Sequence, residues 1–266
     1  MSGGSGAWDP AAHGRFAEER RRPAADLLAR IPTLPNARRI VDLGCGDGRL
    51  LPDLAARWPG AAITGVDAAP AMLAEARRRE VAQAGALDWI EADIADWTPD
   101  EPVDLIVSNA ALHWLDDHAA LLPRLADFLA PGGVLSIQMP RNFDRPSHTL
   151  LRAVAAEGPW AGRLALRADP VAPPAIAYEI LAPHAVALDI WETDYLHALE
   201  GPDAVFRWVE GTTLVPVRAA LADAPDLLTA FEAAYRARLT EAYPPRPDGR
   251  TLFAFRRQFI VATAPG

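Results

Sequence analysis

Arg39-Ile40-Val41-Asp42-Leu43-Gly44-Cys45-Gly46-Asp47-Gly48 reads as a short apolar strand running straight into a glycine loop. Residues 49–58 follow with helical apolar spacing at Leu50, Leu51, Leu54 and Trp58, and Pro59-Gly60 stops them. Strand, glycine turn and helix in that order open a parallel βαβ unit. Glycines at such a turn let the main chain bend tightly and approach a ligand closely. The spacing is G-x-G-x-G. A dinucleotide fingerprint needs a further glycine where Arg49 stands, and no G-x-x-x-x-G-K-[ST] run occurs in the chain. The loop is therefore not built for NAD or ATP phosphates.

Outward from the loop, strand patterns at 62–67, 87–94, 103–108 and 134–139 alternate with helical patterns at 70–80 and 116–129. Ala130-Pro131-Gly132-Gly133 closes the last of these helices. Alternation of this kind predicts an α/β, doubly wound, mostly parallel sheet with helices on both faces. The second half changes character. Residues 145–158 look helical and 158–174 irregular. A short helix holding 178–181 precedes strand-like 185–196. Residues 203–243 are strongly helical, and 251–263 are strand-like again. The two late strands close the same sheet, and the helices before the last strand form an inserted lid.

The chain has 35 acidic and 26 basic residues, a formal net charge of −9. An acidic chain is a poor binder of nucleic acid or anionic membrane, because phosphate recognition needs clustered positive charge. Every basic residue is arginine, which excludes a Schiff-base lysine and a P-loop lysine together. Cys45 is the single cysteine, so no intrachain disulfide and no cysteine-based zinc site can form, and no metal is expected. No apolar run approaches the ~18 residues of a membrane span. Residues 1–7 are rich in glycine and serine, which reads as a flexible tail and not as a signal peptide. The expectation is a cytoplasmic, monomeric enzyme with a small-molecule substrate.

Ligands of open α/β sheets bind beyond the carboxyl ends of the strands. There Asp67 ends the second strand, where a carboxylate can accept both hydroxyls of a ribose. Asp93 ends the third strand, within reach of an adenine amino group, and Asn109 ends the fourth. Asp42-Leu43-Gly44-Cys45-Gly46-Asp47-Gly48, Gly65-Val66-Asp67, Glu91-Ala92-Asp93-Ile94 and Leu129-Ala130-Pro131-Gly132-Gly133-Val134-Leu135 stand in order at the right strand ends. In this respect the chain resembles the class I S-adenosylmethionine (SAM)-dependent methyltransferases over roughly residues 36–140. The resemblance implies a seven-stranded, Rossmann-like sheet whose last strand runs antiparallel. It also implies a cofactor site of Asp42, Gly44, Gly46, Asp67, Asp93, Ile94 and Asn109, with Arg20 and Arg22 expected to pin the cofactor carboxylate or to close the N-terminal segment over it. The plainer readings stay beside these: Asp42 satisfying local main-chain donors, Arg20 and Arg22 forming a solvated face, and Cys45, Trp89 and Trp97 packing.

Further stretches carry a narrower resemblance. They are Trp8-Asp9-Pro10, Phe16, Arg20 to Pro23, Asn109 to Trp114, Gln138 to Asn142 and Pro146 to His148. They continue with Tyr178 to Leu181, Asp189 to His197, Tyr243-Pro244 and Phe255 to Ala262. Together these are similar to the trans-aconitate 2-methyltransferase family, which methylates one carboxylate of a small tricarboxylate. A carboxylate, with an ordinary pKa of about 4, is ionised at neutral pH and needs no general base. The enzyme's task is to align it with the methyl, about 3 Å away, and to exclude water. No catalytic side chain is expected beyond positioning by Arg257, His148 and Asn142.

Arginine matches carboxylates bidentately, and Arg257, among Phe255, Phe259 and Ile260, is the leading clamp. Its alternative is a structural ion pair. Gln138, His113, Tyr178 and Trp208 complete the candidate acceptor site, with core packing the alternative for the two aromatic residues. His148 has a second reading as a cap on its own helix, and the remaining histidines read as surface residues. The expected organisation is a closing segment at 1–35, a SAM-binding core at 36–145, a lid at 146–250 that includes the 185–196 strand, and a last strand at 251–266. Three positions depart from the family pattern. His13 stands where a tyrosine is expected, and Thr213 and Val215 replace a glycine and an arginine. Arg256 is the candidate to compensate for the lost arginine. The departures leave room for another small-molecule acceptor, be it a carboxylate, a hydroxyl or a carbon, or for a SAM-binding module or cyclase that no longer methylates.

Overall fold

The computed structural model describes residues 17–79 and 87–266. In chain order the elements are α1 (Ala17–Arg30), β1 (Arg39–Leu43), α2 (Leu51–Arg57), β2 (Ala62–Asp67), α3 (Pro70–Arg79), β3 (Leu87–Glu91) and β4 (Val103–Asn109). They continue with α4 (His118–Asp127), β5 (Leu129–Pro140), α5 (Pro146–Glu157), α6 (Pro174–Leu181) and β6 (Ala187–Leu199). The last are α7 (Ala204–Val209), α8 (Val215–Ala220), α9 (Pro225–Ala242) and β7 (Thr251–Thr263). The seven strands form one sheet in the order β3-β2-β1-β4-β5-β7-β6. The strands from β3 through β5 pair in parallel, while β7 runs antiparallel to β5. This is the doubly wound sheet with a reversed last strand that the family resemblance implies. The order turns back between β1 and β4, which places a topological switch point beside the glycine loop.

Local chemistry sets most boundaries. Leu43, Val66, Leu105, Ile106, Leu135 and Ile137 are fully buried, as expected of strands covered on both faces. Pro216 and Pro225 lie in the first turns of α8 and α9, where a missing N–H is harmless. The expected helical stretch at 203–243 is three helices, and the last two begin at or beside these prolines, which start a helix more readily than they continue one.

Other boundaries differ from expectation. Asp117 adopts a left-handed conformation and accepts a hydrogen bond from the Ala120 N–H, so α4 starts at His118 and not at 116. Ala130 to Gly133 belongs to β5 and does not form a loop before it. Gly132 has φ +72, and a side chain on Gly133 would sit 2.9 Å from the Val103 carbonyl oxygen, so glycine admits the irregularity in the β4–β5 register here. The third strand ends at Glu91, which leaves Asp93 and Ile94 in the loop beyond it.

The chain divides into two compact units. One comprises residues 22–140, 170–193 and 257–266; its core is built on Leu43, Val66, Ile106, Leu122, Leu135, Ile137 and Ile260. The other comprises the described residues up to 21, with 141–169 and 194–256. It has a separate aromatic core around Trp160, Phe206, Trp208, Phe231, Tyr235 and Phe253.

Candidate functional site

The glycine loop leaves β1 with Gly44, Gly46 and Gly48 at φ +75, +55 and +75. A Cβ on Gly44 would lie 2.1 Å from the Ala111 Cβ, so only glycine fits there. The Gly44 and Cys45 N–H groups donate to the Val66 carbonyl at 2.8 and 3.0 Å. Asp67, half-buried, then holds the loop from β2. Its Oδ2 accepts from the Gly46 N–H at 2.8 Å and its Oδ1 from the Ala69 N–H at 2.9 Å. Each oxygen keeps acceptor capacity for a further donor. Asp42 is buried at the end of β1, and burial, then the nearby Asp67 charge, pushes its carboxyl up to about 7. Burial also pushes the Cys45 thiol well up, so it stays protonated and packs, as read from the sequence. Trp89 lies over the loop's glycine surfaces: a Cβ on Gly48 or Gly65 would meet its ring at 2.7 Å.

Asp93 is exposed and accepts from the Ala95 N–H at 2.9 Å, forming a turn. Ile94 is buried with its Cδ1 near Gly44. Arg124 of α4 fixes this loop, donating to the Ile94 and Trp97 carbonyls at 2.5 and 2.8 Å. Nothing in the sequence separates Arg124 from the other arginines. At the end of β4, the Ser108 hydroxyl donates to the Leu43 carbonyl at 2.8 Å, tying β4 to β1. Asn109 Oδ1 is buried with no hydrogen-bond partner among the described residues. Ala110 follows at φ +56, an unusual conformation for a residue with a Cβ. Its N–H donates to the Gln138 carbonyl at 2.9 Å. No glycine or asparagine marks Ala110, so this turn is invisible in the sequence. His113 is half-buried, with its ring centroid 4.8 Å from that of Trp114. His118 corrects the surface reading: it is 4% exposed and its Nε2 meets the Leu112 carbonyl oxygen at 3.0 Å.

The sheet register brings three candidates together. Asn109 pairs with Gln138, Gln138 with Phe259, and Pro140 with Arg257. Alternation puts Asn109, Gln138 and Arg257 on one face. Gln138 is 1% and Arg257 5% exposed, with Arg257 Nη1 3.5 Å from Gln138 Oε1. Arg257 is the only arginine in the buried class among residues 21–79 and 87–266. In the same unit Tyr178 is 56% exposed, neither core nor enclosed wall, and Arg22 is exposed on α1.

The second unit holds Asn142, His148 and Trp208. Both ends of the buried Asn142 amide are engaged by the Arg256 main chain: its Nδ2 donates at 2.9 Å and its Oδ1 accepts at 2.8 Å. Asn142 thus serves first as a side-chain substitute for strand pairing. His148 makes no cap. Its Nδ1 meets the Ser147 hydroxyl at 3.1 Å, and burial, then the Arg152 charge, lowers its pKa to about 4, so it is neutral at pH 7. Trp208 is 4% exposed, against Phe253, Phe255 and His197. Arg256 and Arg145 both donate to Asp194, at 3.0 and 2.7 Å, and these guanidinium groups hold its carboxyl below the usual range. Arg218, near Val215, is bound by Glu232 and Glu210. Trp8, His13 and Phe16 lie outside the described residues.

Comparison with known proteins gives this geometry a family. A methyltransferase domain model matches residues 40–133. The trans-aconitate 2-methyltransferase of an Azoarcus species is 50% identical over 258 residues, covering 96% of this chain and 98% of that one. Its Streptomyces avermitilis counterpart is 50% identical over 261 residues, covering 96% of each. The chain belongs to the trans-aconitate 2-methyltransferase family. This methyltransferase is SAM-dependent, and SAM is its methyl donor. Solved structures share the fold at low identity. The YcgJ protein of Bacillus subtilis has a TM-score of 0.56 at 14% identity, covering 92% of this chain and 99% of that one. Phosphoethanolamine N-methyltransferase 2 of Haemonchus contortus, solved with SAM, has a TM-score of 0.54 at 17% identity. The match covers 92% of this chain and 53% of the Haemonchus one, so the methyltransferase spans about half that protein's length. No helix among the described residues is long and apolar enough to cross a membrane.

Proposed function

We propose that the chain methylates one carboxylate of trans-aconitate, as a cytoplasmic monomer. The observation that carries the acceptor class is Arg257. A guanidinium 5% exposed, beside the Gln138 amide at the carboxyl end of β5, is a permanent cation in a dry place. Its planar fork matches a carboxylate.

The residues present suit the donor. SAM supplies a methyl group on a positively charged sulfur, open to attack by a nucleophile. Two carboxyl groups, Asp42 and Asp67, stand under the glycine loop, which favours a cationic ligand over a phosphate. Asp67 holds Gly46 and offers its remaining lone pairs to ribose hydroxyls. Gly44 keeps the loop open, Ile94 gives an apolar surface for adenine, and the buried Asn109 Oδ1 waits for a donor. Asp93, exposed, and Arg22, exposed on α1, belong to the same reading at its margin.

On the acceptor side Arg257 and Gln138 hold carboxylate oxygens, with His113 beside them in the assignment. His148, as a neutral imidazole, donates or accepts a hydrogen bond but adds no charge. Residues 146–250 are assigned the selection of acceptor, and Trp208 supports them from their core. No side chain is asked to remove a proton, because the attacking carboxylate is already ionised.

A different small acid is the second reading. Val215 removes an arginine of the family pattern, while Arg256 is engaged by Asp194 and Arg218 by Glu232. Endpoint mass spectrometry after incubation with SAM and, separately, trans-aconitate, cis-aconitate, citrate, isocitrate and a malonyl carrier protein separates the two readings. A methyl gain on trans-aconitate supports the first. Gain on another acid alone, with SAM still bound, supports the second. Light scattering after size exclusion tests the monomer.

A further inference from the structure

Gln138 presents an unusual pairing of features. It is 1% exposed, and its Oε1 faces the Arg257 Nη1 at 3.5 Å. A guanidinium has only donors, so it can face the oxygen of this amide but not the nitrogen. The orientation of the amide is thereby fixed, and Nε2 points away from Arg257. That Nε2 is buried and has no hydrogen-bond partner among the described residues. Its neighbour across the β4–β5 pair, Asn109, leaves Oδ1 buried and unpartnered as well. A donor and an acceptor on adjacent strands thus fail to satisfy one another. Each such buried group is costly unless something else completes it. The Gln138 carbonyl also receives the Ala110 N–H, so the same residue braces the left-handed turn beyond β4.

We propose that Gln138 is a specificity-determining residue for the methyl acceptor. Its Oε1 orients Arg257, and its Nε2 donates to an oxygen of a carboxylate that is not the one methylated. The ligand class is a polycarboxylate with one carboxylate to spare for this grip. The inference rests on the reading above that Arg257 engages the acceptor.

The test is steady-state kinetics of wild type and Gln138→Leu on trans-aconitate and on fumarate, itaconate and trans-glutaconate, each of which lacks one of its three carboxylates. Leucine keeps the bulk and removes both polar roles. The variant is expected to raise KM for trans-aconitate about tenfold, on the scale of one charge-assisted hydrogen bond. It should shrink the kcat/KM preference for trans-aconitate over the best dicarboxylate by a similar factor. SAM affinity, read by calorimetry, should stay within about twofold. Gln138→Glu, which sets a carboxylate against Arg257, should raise KM further than leucine does, and it serves if the leucine variant fails to fold. An unchanged preference in an active variant overturns this inference alone, as does a loss of SAM affinity matching the loss of acceptor affinity. A wild type idle on trans-aconitate and on all three analogues overturns both this inference and the acceptor assignment.

Discussion

Asp42 shows what a single position costs and what it provides. Buried, and beside Asp67, its carboxyl titrates near 7, against 3.8 for an isolated aspartate. Below about pH 4 the folded and unfolded chains both hold this proton. Between there and 7 the unfolded chain has released it while the folded chain keeps it, so stability falls as pH rises. The full penalty is present above 7. At about 1.4 kcal/mol per pKa unit it is on the order of a few kcal/mol. Asp42→Asn should therefore gain stability over wild type at pH 8 and lose that advantage at pH 4, read by denaturant melts without SAM. A constant difference between the two pH values would contradict the raised pKa. Asp67 makes a second test at this scale. It secures the Gly46 N–H and is assigned the ribose, so Asp67→Ala should weaken SAM binding at least about tenfold by calorimetry. Arg257→Ala should do the converse, lowering acceptor affinity at unchanged SAM affinity; a joint fall of both would make Arg257 a structural residue.

Among elements, the loop after β3 owes its shape to α4. Arg124 spans the Ile94 and Trp97 carbonyls, so the helix sets where Ile94 stands against Gly44. Arg124→Ala should cost about 2 kcal/mol in a urea melt and weaken SAM binding several-fold, since two charge-assisted hydrogen bonds are lost. Arg124→Lys should recover only part, because an ammonium lacks the fork that reaches both carbonyls. Unchanged SAM affinity in the alanine variant would detach the loop from the cofactor. Elements of this kind also mark where the sequence stops being informative. Glycine spacing and strand-end aspartates are periodic or local signals, so the loop at 44–48 and Asp67 were legible. The β5 start at Leu129 was not, because its irregularity depends on how closely Gly133 approaches the Val103 carbonyl of another strand. The amide pairing of Asn142 with Arg256 arises the same way, from a partner distant in the chain.

At the scale of the whole molecule, a chain of net charge −9 is asked to receive a trianion. Its general field opposes this, although salt at physiological strength confines that field to about 8 Å. Recognition must then be short-range. Several arginines are committed to acidic partners: Arg145 and Arg256 to Asp194, Arg218 to Glu232, and Arg30 to Asp189. Arg257 is buried beside Gln138, and the acceptor reading turns on it. The same reading fixes how the reaction responds to pH. The acceptor carboxylates have ordinary pKa values near 4, and a reaction that removes no proton has no rising limb above that range. His148, lowered to about 4, does not change charge between pH 6 and 9. Asp42 does titrate there in the empty protein, but saturating SAM takes its effect out of kcat and leaves it in the KM for SAM. The expected result is a kcat for trans-aconitate that is flat from pH 6.5 to 9, within about twofold, while the KM for SAM changes across pH 7. A kcat rising tenfold per pH unit would reveal a deprotonation in the chemical step, and the acceptor would then be a hydroxyl with His113 or His148 as the candidate base.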